Sequence, residues 1–442
     1  MPEIRFMTLD PGHFHAALVQ KEMYPGVSPR VDVYAPLGTD LLGHLGRIAA
    51  FNARAERPTA WQLEIHTGPD FIDRMIAERP GNAVVISGRN RVKIDRIARS
   101  VDAGLHVLVD KPWILRVADL PRLESVLDTA DRGGLVAYDI MTERYEVTSE
   151  LQRELVNDRA VFGTIVEGTP AEPAVYMESV HHLMKTVAGA PNIRPTWFFD
   201  IDEQGEGVND IGTHLVDLVQ WTLFPEQAVN YRSDIRMLGA QRWPTLIPEP
   251  DFRRVTGAPG FPASLGANVR NGTLEYYCNT LVSYTIRNIH TTLNVIWDWE
   301  APAGSGDTHY AVYRGSRSRI EVRQGKAERF RPELYVVPGK GEDRAVILQA
   351  VRNRLLAVGK TYPGVQVEER GADIHVTIPD ALRVGHEDHF AQVASRFLRY
   401  VRDRRELPAW ERPNMMAKYY VTTTAAEMSR QGPSRPAPRI AP

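Results

Sequence analysis

An acid and an imidazole lie four residues apart in the segment Gly205–Asp217, where a helix is predicted to begin. This spacing places Asp210 and His214 on one helical face. A carboxylate that holds one tautomer of an imidazole is a common way to build a general base, and the Gly-Glu-Gly that opens the segment allows close approach of the backbone. A half-buried histidine satisfied by an acidic neighbour has the same pattern, so both interpretations are open on this segment alone.

A lysine followed by proline closes another apolar segment, Ala103–Trp113. Lys111 falls at the carboxyl end of a predicted strand, where open α/β sheets bind their ligands, and Pro112 stiffens the chain after it. A solvated charge at a strand end is the alternative interpretation.

The first predicted strand runs into Asp10-Pro11-Gly12-His13-Phe14-His15, where a dinucleotide-binding fold carries G-x-G-x-x-G. With Gly12 aligned to the middle glycine, Asp10 and His15 replace the outer two. The backbone can still approach a pyrophosphate at Gly12, but the tight turn and the helix packing must be made differently. An α/β fold without a nucleotide is the alternative.

Polar and aromatic residues are mixed upstream of the Asp210 helix, which suits a carbohydrate site where rings stack on a sugar and donors reach its hydroxyls. The expected substrate contacts are His181, His182, Lys185, Trp197 and Asp210. His181, His182 and His214 are also candidate metal ligands. Adjacent histidines are expected to splay apart, and no carboxylate has a clear ligand spacing, so we expect no metal.

The composition is typical of a soluble globular protein of two or three domains: 442 residues, of which 43% are hydrophobic and 24% charged. A formal net charge of −2 gives no electrostatic reason to expect nucleic acid or an anionic membrane as partner. Cys278 is the single cysteine, so we interpret it as a packing residue in a reducing compartment. Without a signal-peptide pattern or an apolar span, a cytoplasmic location is expected.

Short apolar runs alternate with helical patterns up to about residue 140, as in a parallel sheet with crossover helices. The predicted strands are Ile4–Leu9, Arg30–Tyr34, Gln62–His66, Ala83–Ser87, His106–Val109 and Leu135–Tyr138. The predicted helices are His15–Met23, Phe71–Glu78, Val92–Ala103 and Val117–Arg132. This arrangement predicts a doubly wound α/β domain over residues 1–140.

Long β-type runs with few helices follow, and they predict an α+β domain over residues 141–430 with a large, mostly antiparallel, open sheet. The predicted strands are Phe162–Gly168, Gly272–Ile286, His290–Trp299, His309–Tyr313 and Arg319–Arg323. We also expect a loop from Pro244 to Gly272, returning helices at His386–Arg405 and Thr422–Ser429, and a disordered tail over residues 431–442.

These pieces, in this order, resemble the Gfo/Idh/MocA family of nicotinamide-dependent oxidoreductases. The family's Rossmann domain carries an Ala-Gly-…-Glu-Lys-Pro stretch, matched here by residues 103–112 with Asp110 in place of the glutamate. Its sheet domain carries Gly-Gly-x-x-x-Asp-x-Gly-x-His-x-x-Asp, matched at Gly207, Asp210, Gly212, His214 and Asp217. Asn90 fits the family's Thr-Pro-Asn-x-x-His segment, with Lys93 where histidine is usual.

The resemblance implies an N-terminal Rossmann domain that holds the cofactor. The implied cofactor contacts are Asp10, Gly12, His13, Phe14, His15, Ser87, Asn90, Asp110, Lys111 and Pro112. The second strand carries neither an acid for the ribose nor an arginine for a 2′-phosphate at its tip, and Asp40 is a displaced substitute for the acid. We therefore expect NAD, with NADP as the alternative.

The implied reaction is oxidation of a secondary hydroxyl of a sugar, glycoside or polyol, for example at C3 of a pyranoside. His214 is the expected base, Asp210 its orienting partner, and Lys111 the donor to the reacting oxygen. One alternative is a glycoside-cleaving hydrolase or lyase that retains its NAD and acts by transient C3 oxidation and elimination. Another is a non-catalytic nucleotide sensor. An open sheet face also predicts a homodimer or homotetramer.

Overall fold

The computed structural model of the chain describes residues 3–187, 190–191 and 193–432. The chain forms two compact units. The first runs to Thr142 and takes in Gly385–Tyr419, while the second comprises Glu143–Val384 and resumes at Tyr420. Residues 385–419 thus pack with the N-terminal part of the chain, although the sequence interpretation grouped them with residues 141–430. Most of the tail expected over 431–442 lies outside the described residues.

Eighteen strands are assigned in the described part of the chain. They are β1 (Phe6–Leu9), β2 (Arg30–Ala35), β3 (Gln62–Thr67), β4 (Ala83–Ile86), β5 (His106–Asp110), β6 (Ala137–Ile140), β7 (Val175–Met184), β8 (Thr186–Val187), β9 (Ala190–Pro191), β10 (Ile235–Pro248), β11 (Val269–Arg270), β12 (Thr273–Ile286), β13 (Ile289–Glu300), β14 (Thr308–Arg314), β15 (Ser318–Gln324), β16 (Glu333–Pro338), β17 (Gln366–Arg370) and β18 (Asp373–Thr377).

Eleven α-helices accompany these strands in the same part of the chain. They are α1 (His15–Leu18), α2 (Thr39–Ala53), α3 (Phe71–Glu78), α4 (Lys93–Asp102), α5 (Leu120–Arg132), α6 (Val147–Val156), α7 (Gly207–Leu223), α8 (Glu249–Thr256), α9 (Arg344–Ala357), α10 (His386–Arg402) and α11 (Glu411–Gln431).

The first unit contains a six-stranded parallel sheet in the order β3-β2-β1-β4-β5-β6. Strands β1 and β4 are buried along their whole length, which is why they read as unbroken apolar runs rather than as alternating ones. The strand order reverses at β1, so the carboxyl ends of β1 and β4 flank the position where doubly wound folds bind their ligands. The predicted Rossmann architecture is confirmed.

The second unit contains a large mixed sheet in the order β10-β12-β13-β7-β14-β15-β16-β18-β17, with β11 paired to β12. Its neighbouring strands are antiparallel except for β13 and β7, which run parallel. Helix α7 packs on β12 and β13. The predicted mostly antiparallel sheet is confirmed.

Two local predictions differ from the structure. Phe162–Gly168 forms only isolated bridges, at Ile165 and Gly168, and no strand. The expected loop after Pro244 is instead the end of β10 followed by α8. Pro244 is tolerated there because the register of β10 against β12 shifts between Trp243 and Thr245, where a residue without an N–H loses no ladder bond.

None of the helices in the described part of the chain combines the length and apolar character that crossing a membrane requires.

Candidate active-site residues

The loop after β1 makes its turn without the outer glycine of the dinucleotide fingerprint. Asp10 takes up that role itself, with φ of 46°, a left-handed conformation that aspartate tolerates better than most residues. Its N–H donates to the carbonyl of Tyr34 at 2.9 Å, and its carboxylate pairs with Arg96. Gly88, after β4, allows its own backbone to pack closely against that of Asp10, since a Cβ there would lie 2.5 Å from the carbonyl oxygen of Asp10.

His13 and His15 both approach one carboxylate, that of Asp110 at the end of β5. His15 Nδ1 lies 2.9 Å from Asp110 Oδ2, and His13 Nδ1 lies 3.5 Å from the same oxygen. Ser87 Oγ donates to this oxygen at 2.9 Å. His15, in the place of the third glycine, is thus a buried link between α1 and β5 that also packs on Phe390.

Burial fixes the charge states in this cluster. It lowers the pKa of His15 to about 3, so the imidazole is neutral at physiological pH. Burial alone would raise the pKa of Asp110, but the interactions with His15 and His13 hold it well below its usual range. The carboxylate is therefore ionised and accepts hydrogen bonds from neutral donors.

Lys111 is buried, which removes the interpretation of a solvated charge at a strand end. The Lys111–Pro112 peptide bond is cis. The carbonyl oxygen of Asp110 accepts a hydrogen bond of 2.9 Å from Lys93 Nζ, and burial lowers the pKa of Lys93 to about 8. Ser87 and Asn90 are buried beside this turn, whereas Phe14 is partly exposed with Arg47 next to its ring.

The region after β2 contains an ion pair that the sequence did not predict. Asp40 is the second residue of α2 and lies 3.5 Å from the guanidinium of Arg89. Arg89 follows β4, so its position near Asp40 depends on the sheet order and not on sequence spacing. A carboxylate suits a ribose hydroxyl and a guanidinium suits a 2′-phosphate, so the pair leaves NAD and NADP both open.

In the second unit, α7 begins with a reciprocal cap. The Glu206 side chain accepts from the backbone N–H of Asn209, whose side chain accepts from the N–H of Glu206. The buried Glu206 carboxylate also pairs with Arg242 and Arg430. A Cβ at Gly207 would lie 1.9 Å from the carbonyl oxygen of Cys278, so this glycine allows the helix to pack on β12 and does not face a ligand.

Asp210 and His214 occupy successive turns of α7, as predicted. His214 is buried, and Asp210 is partly exposed. The charge of Asp210 acts on Arg194, whose pKa burial lowers. Asp217 is a structural residue, because its buried carboxylate binds Arg144 with two hydrogen bonds of 2.6 and 2.7 Å.

The predicted substrate residues His181, His182 and Lys185 meet at Asp307. His181 Nδ1 donates to Oδ2 at 3.2 Å, and His182 Nδ1 donates to Oδ1 at 3.0 Å. Lys185 pairs with the same carboxylate. Although burial opposes it, these contacts hold the pKa of Asp307 well below its usual range.

This convergence corrects the expectation that the adjacent histidines lack a shared carboxylate. Asp307 was missed because it is 126 positions from His181 and directly precedes β14, which only the sheet order places beside β7. The other nitrogen of His181, Nε2, lies 2.9 Å from Ser179 Oγ.

Aromatic rings border this cluster. Trp297 lies opposite His181 in the sheet, with ring centroids 4.9 Å apart, and was not predicted. The Arg194 guanidinium is stacked on Phe198 and Trp297, at 4.6 and 5.1 Å from their centroids. Trp197, a predicted substrate contact, is buried in the short helix Thr196–Phe199.

The family model described as "Putative oxidoreductase C terminal domain" matches residues 151–430. A crystal structure described as a putative oxidoreductase from Parabacteroides merdae is 46% identical, covers 97% of this chain and 98% of its own, and has a TM-score of 0.94. No curated protein matches the chain.

Two more distant structures share the fold. GenD2 from gentamicin A biosynthesis, in complex with NAD, is 15% identical over 98% of this chain and 95% of its own, with a TM-score of 0.56. A mutant of KijD10, a 3-ketoreductase from Actinomadura kijaniata in complex with TDP-benzene and NADP, is 14% identical over 98% of both chains, also at 0.56. Together with the family match, which spans more than half of the sequence, these findings show that the chain belongs to the Gfo/Idh/MocA-type NAD(P)-dependent oxidoreductases.

Proposed function

We propose that the chain oxidises a secondary hydroxyl of a sugar, glycoside or polyol and that NAD(P) is its hydride acceptor. The observation that carries this proposal is the Asp210–His214 face of α7, where a buried imidazole lies one turn from a carboxylate on a helix whose first turn is held by two ion pairs. A rigidly placed imidazole of this kind is suited to general-base work.

The loop after β1 fits a dinucleotide. Gly12 has no side chain to block a pyrophosphate, and Asp10 reproduces the turn that a glycine usually makes. GenD2 was solved with NAD and KijD10 with NADP, which supports a nicotinamide cofactor without deciding between the two. The residues proposed to contact it are those of the loop, Ser87, Asn90 and the Asp110-Lys111-Pro112 turn.

Each protein group has a separate task in the proposed reaction. His214 accepts the hydroxyl proton, and Asp210 orients the ring. Lys111 donates to the reacting oxygen and stabilises the alkoxide charge that develops as the C–H bond breaks. NAD(P), when bound, takes the hydride at C4 of its nicotinamide.

The substrate contacts are proposed for the Asp307 cluster. His181, His182 and Lys185 are held by one carboxylate, and the buried Trp297 ring packs beside His181 and helps to fix its position. KijD10 is described as a 3-ketoreductase. We therefore favour a pyranoside oxidised at C3.

Replacement of His214 with Asn tests the proposed base. We expect turnover of a sugar screen to fall by about a thousandfold while NADH binding changes less than about twofold, because only the proton acceptor is lost. Lys360→Met serves as a surface control. If His214→Asn turns over normally, the assignment of the base is wrong. If neither NADH nor NADPH quenches the protein fluorescence, both oxidoreductase candidates fail and the nucleotide-sensing alternative fails with them.

A second candidate is cleavage of a glycosidic bond with retained NAD, through transient C3 oxidation and elimination. The observation that favours it is His181, a second imidazole bonded to Asp307 on one side and to Ser179 on the other. Release of NADH that matches ketone formation supports the dehydrogenase. Release of the aglycone from a nitrophenyl glycoside without net NADH supports cleavage.

We also propose a homodimer or homotetramer formed through the outer face of the large sheet. Leu246 on the edge strand β10 is largely exposed, whereas Val180, Trp243 and Ile296 form a buried apolar cluster on strands of the same sheet. Light scattering after size-exclusion chromatography tests this assembly, and a monomeric mass would contradict it.

A further inference from the structure

We propose that His13, His15 and Asp110 bind one divalent transition-metal ion, with Zn²⁺ as the best fit. The two imidazoles and the carboxylate each offer one ligand atom, and these atoms all lie within 4.8 Å of one another. Two imidazoles and one carboxylate are a donor set that proteins use for zinc and for iron.

The distances between the ligand atoms are close to those around a metal ion. With metal–ligand bonds of about 2.0–2.2 Å, two ligands of a tetrahedral ion are about 3.3–3.6 Å apart. The separation of His13 Nδ1 from Asp110 Oδ2 is 3.5 Å, which lies in this range, and that of His15 Nδ1 is 2.9 Å, which is shorter. Binding of an ion therefore requires the His15 ring to move away from Asp110 by several tenths of an ångström.

Two buried ligand atoms also have unused bonding capacity. His13 Nδ1 and Asp110 Oδ1 are buried and have no hydrogen-bond partner among the described residues, and the Asp110 side chain is 6% exposed. A buried acceptor without a partner costs free energy, and a metal ion would satisfy His13 Nδ1. Ser87 Oγ, which lies 2.9 Å from Asp110 Oδ2, would orient the carboxylate by its hydrogen bond.

Binding of the ion must be compatible with the proton of the His15 ring and with the neighbouring charges. Coordination through Nδ1 moves the proton of the His15 ring to its Nε2, so no proton need leave the protein. The neighbouring cations Lys93 and Arg96 oppose a dication, although Arg96 is paired with Asp10. We therefore expect weaker binding than in a closed site with four protein ligands.

The test uses the full-length chain without nucleotide. Titration with Co²⁺, which has visible absorption bands when coordinated with low symmetry, should give a saturable spectrum at about one ion per chain, and Zn²⁺ should displace it. His13→Gln and His15→Gln should each weaken binding by about tenfold or more, and the double variant should abolish it.

His375→Gln is the matched control, because His375 also bonds two carboxylates, those of Glu368 and Glu333, but is a single imidazole. Its cobalt spectrum should equal that of the wild type. His13 is the most exposed of the three ligands, so His13→Gln keeps the proposal testable if the other variants fail to fold. Wild-type protein that gives no saturable cobalt spectrum, or a spectrum that survives in the double variant, overturns the site.

A second readout links the ion to the proposed cofactor and rests on the proposed function. Since His13, His15 and Asp110 are also proposed dinucleotide contacts, Zn²⁺ should raise the apparent Kd for NADH in the wild type but not in the double variant. NADH binding that is insensitive to Zn²⁺ overturns this link alone, because the cobalt titration is read without nucleotide.

Discussion

The two units each contain one aspartate flanked by two histidines and a lysine, but they arrange these groups differently. In the first unit, both imidazoles point at a single oxygen of the buried Asp110, and the lysine bonds the backbone carbonyl. In the second unit, His181 and His182 take separate oxygens of Asp307, and Lys185 pairs with the carboxylate. The donors of the proposed metal site thus converge on one atom, whereas the donors around Asp307 are spread over both carboxylate oxygens.

Burial separates the two clusters as well. The Asp110 side chain is 6% exposed, and that of Asp307 is 25% exposed. Water can therefore replace some of the partners of Asp307, but none of those of Asp110. We expect the first cluster to contribute mainly to the structure of the loop after β1 and the second to contribute mainly to substrate binding.

The largest expected effect is on stability, from Asp110→Asn. The amide loses charge-assisted hydrogen bonds from His15 and Ser87 in a buried place, so we expect unfolding free energy to fall by about 2–3 kcal/mol. Asp307→Asn should cost about 1 kcal/mol because its surroundings are partly hydrated. Thermal denaturation followed by circular dichroism, with both variants in one buffer, shows which variant loses more stability. Equal losses would show that burial does not distinguish the clusters.

A smaller effect is the pH dependence of the Asp307 contribution. The pKa of Asp307 is held below its ordinary value of 3.8, so its stabilisation is fully present above that pH and is lost as the pH falls through the lower, folded-state pKa. The difference in Tm between wild type and Asp307→Asn should therefore shrink as the pH falls below about 4.

Asp380→Asn is the control for this measurement, because Asp380 pairs with Arg331 on the surface and its side chain is 85% exposed. Its Tm should differ little from that of the wild type at any pH. A difference for Asp307→Asn that grows as the pH falls below about 4 would contradict the low pKa.

The smallest expected effect is that of Lys185→Met on metal binding. Removing the ammonium leaves Asp307 with two imidazoles, the same donors as in the first unit, but on separate oxygens. In a His13→Gln/His15→Gln background, we expect no cobalt spectrum from this variant. A spectrum would show that Lys185, and not the spread of the donors, keeps ions out of the second cluster.

The sequence was sufficient for the elements whose patterns are local. Helix α3 and the strands of the parallel sheet fall at or near their predicted bounds, and the fully buried strands β1 and β4 read as apolar runs. Helix α2 was missed, since Gly43 and Gly46 weaken its helical pattern. The strand β7, which carries His181 and His182, was also missed, because its polar residues interrupt the apolar alternation.

Contacts in the candidate site could be predicted only where the position of a residue in the sequence determines its neighbours in space. The loop after β1 and the turn after β5 were expected at the same edge, because parallel strands end together, and the contact of His15 with Asp110 follows from this. Asp307, Arg89 and Trp297 were not predictable, since each depends on which strands or loops become neighbours. Local spacing carries no information of that kind.

The contact between Gly207 and the carbonyl oxygen of Cys278 limits how α7 can move. With no side chain between them, the first turn of the helix rests on the backbone of β12, and there is no layer of side chains that could slide or repack. Motions that displace His214 must therefore carry the sheet with them. Under the proposed function, the imidazole is positioned before a substrate arrives, and adaptation to different substrates falls to the residues around Asp307.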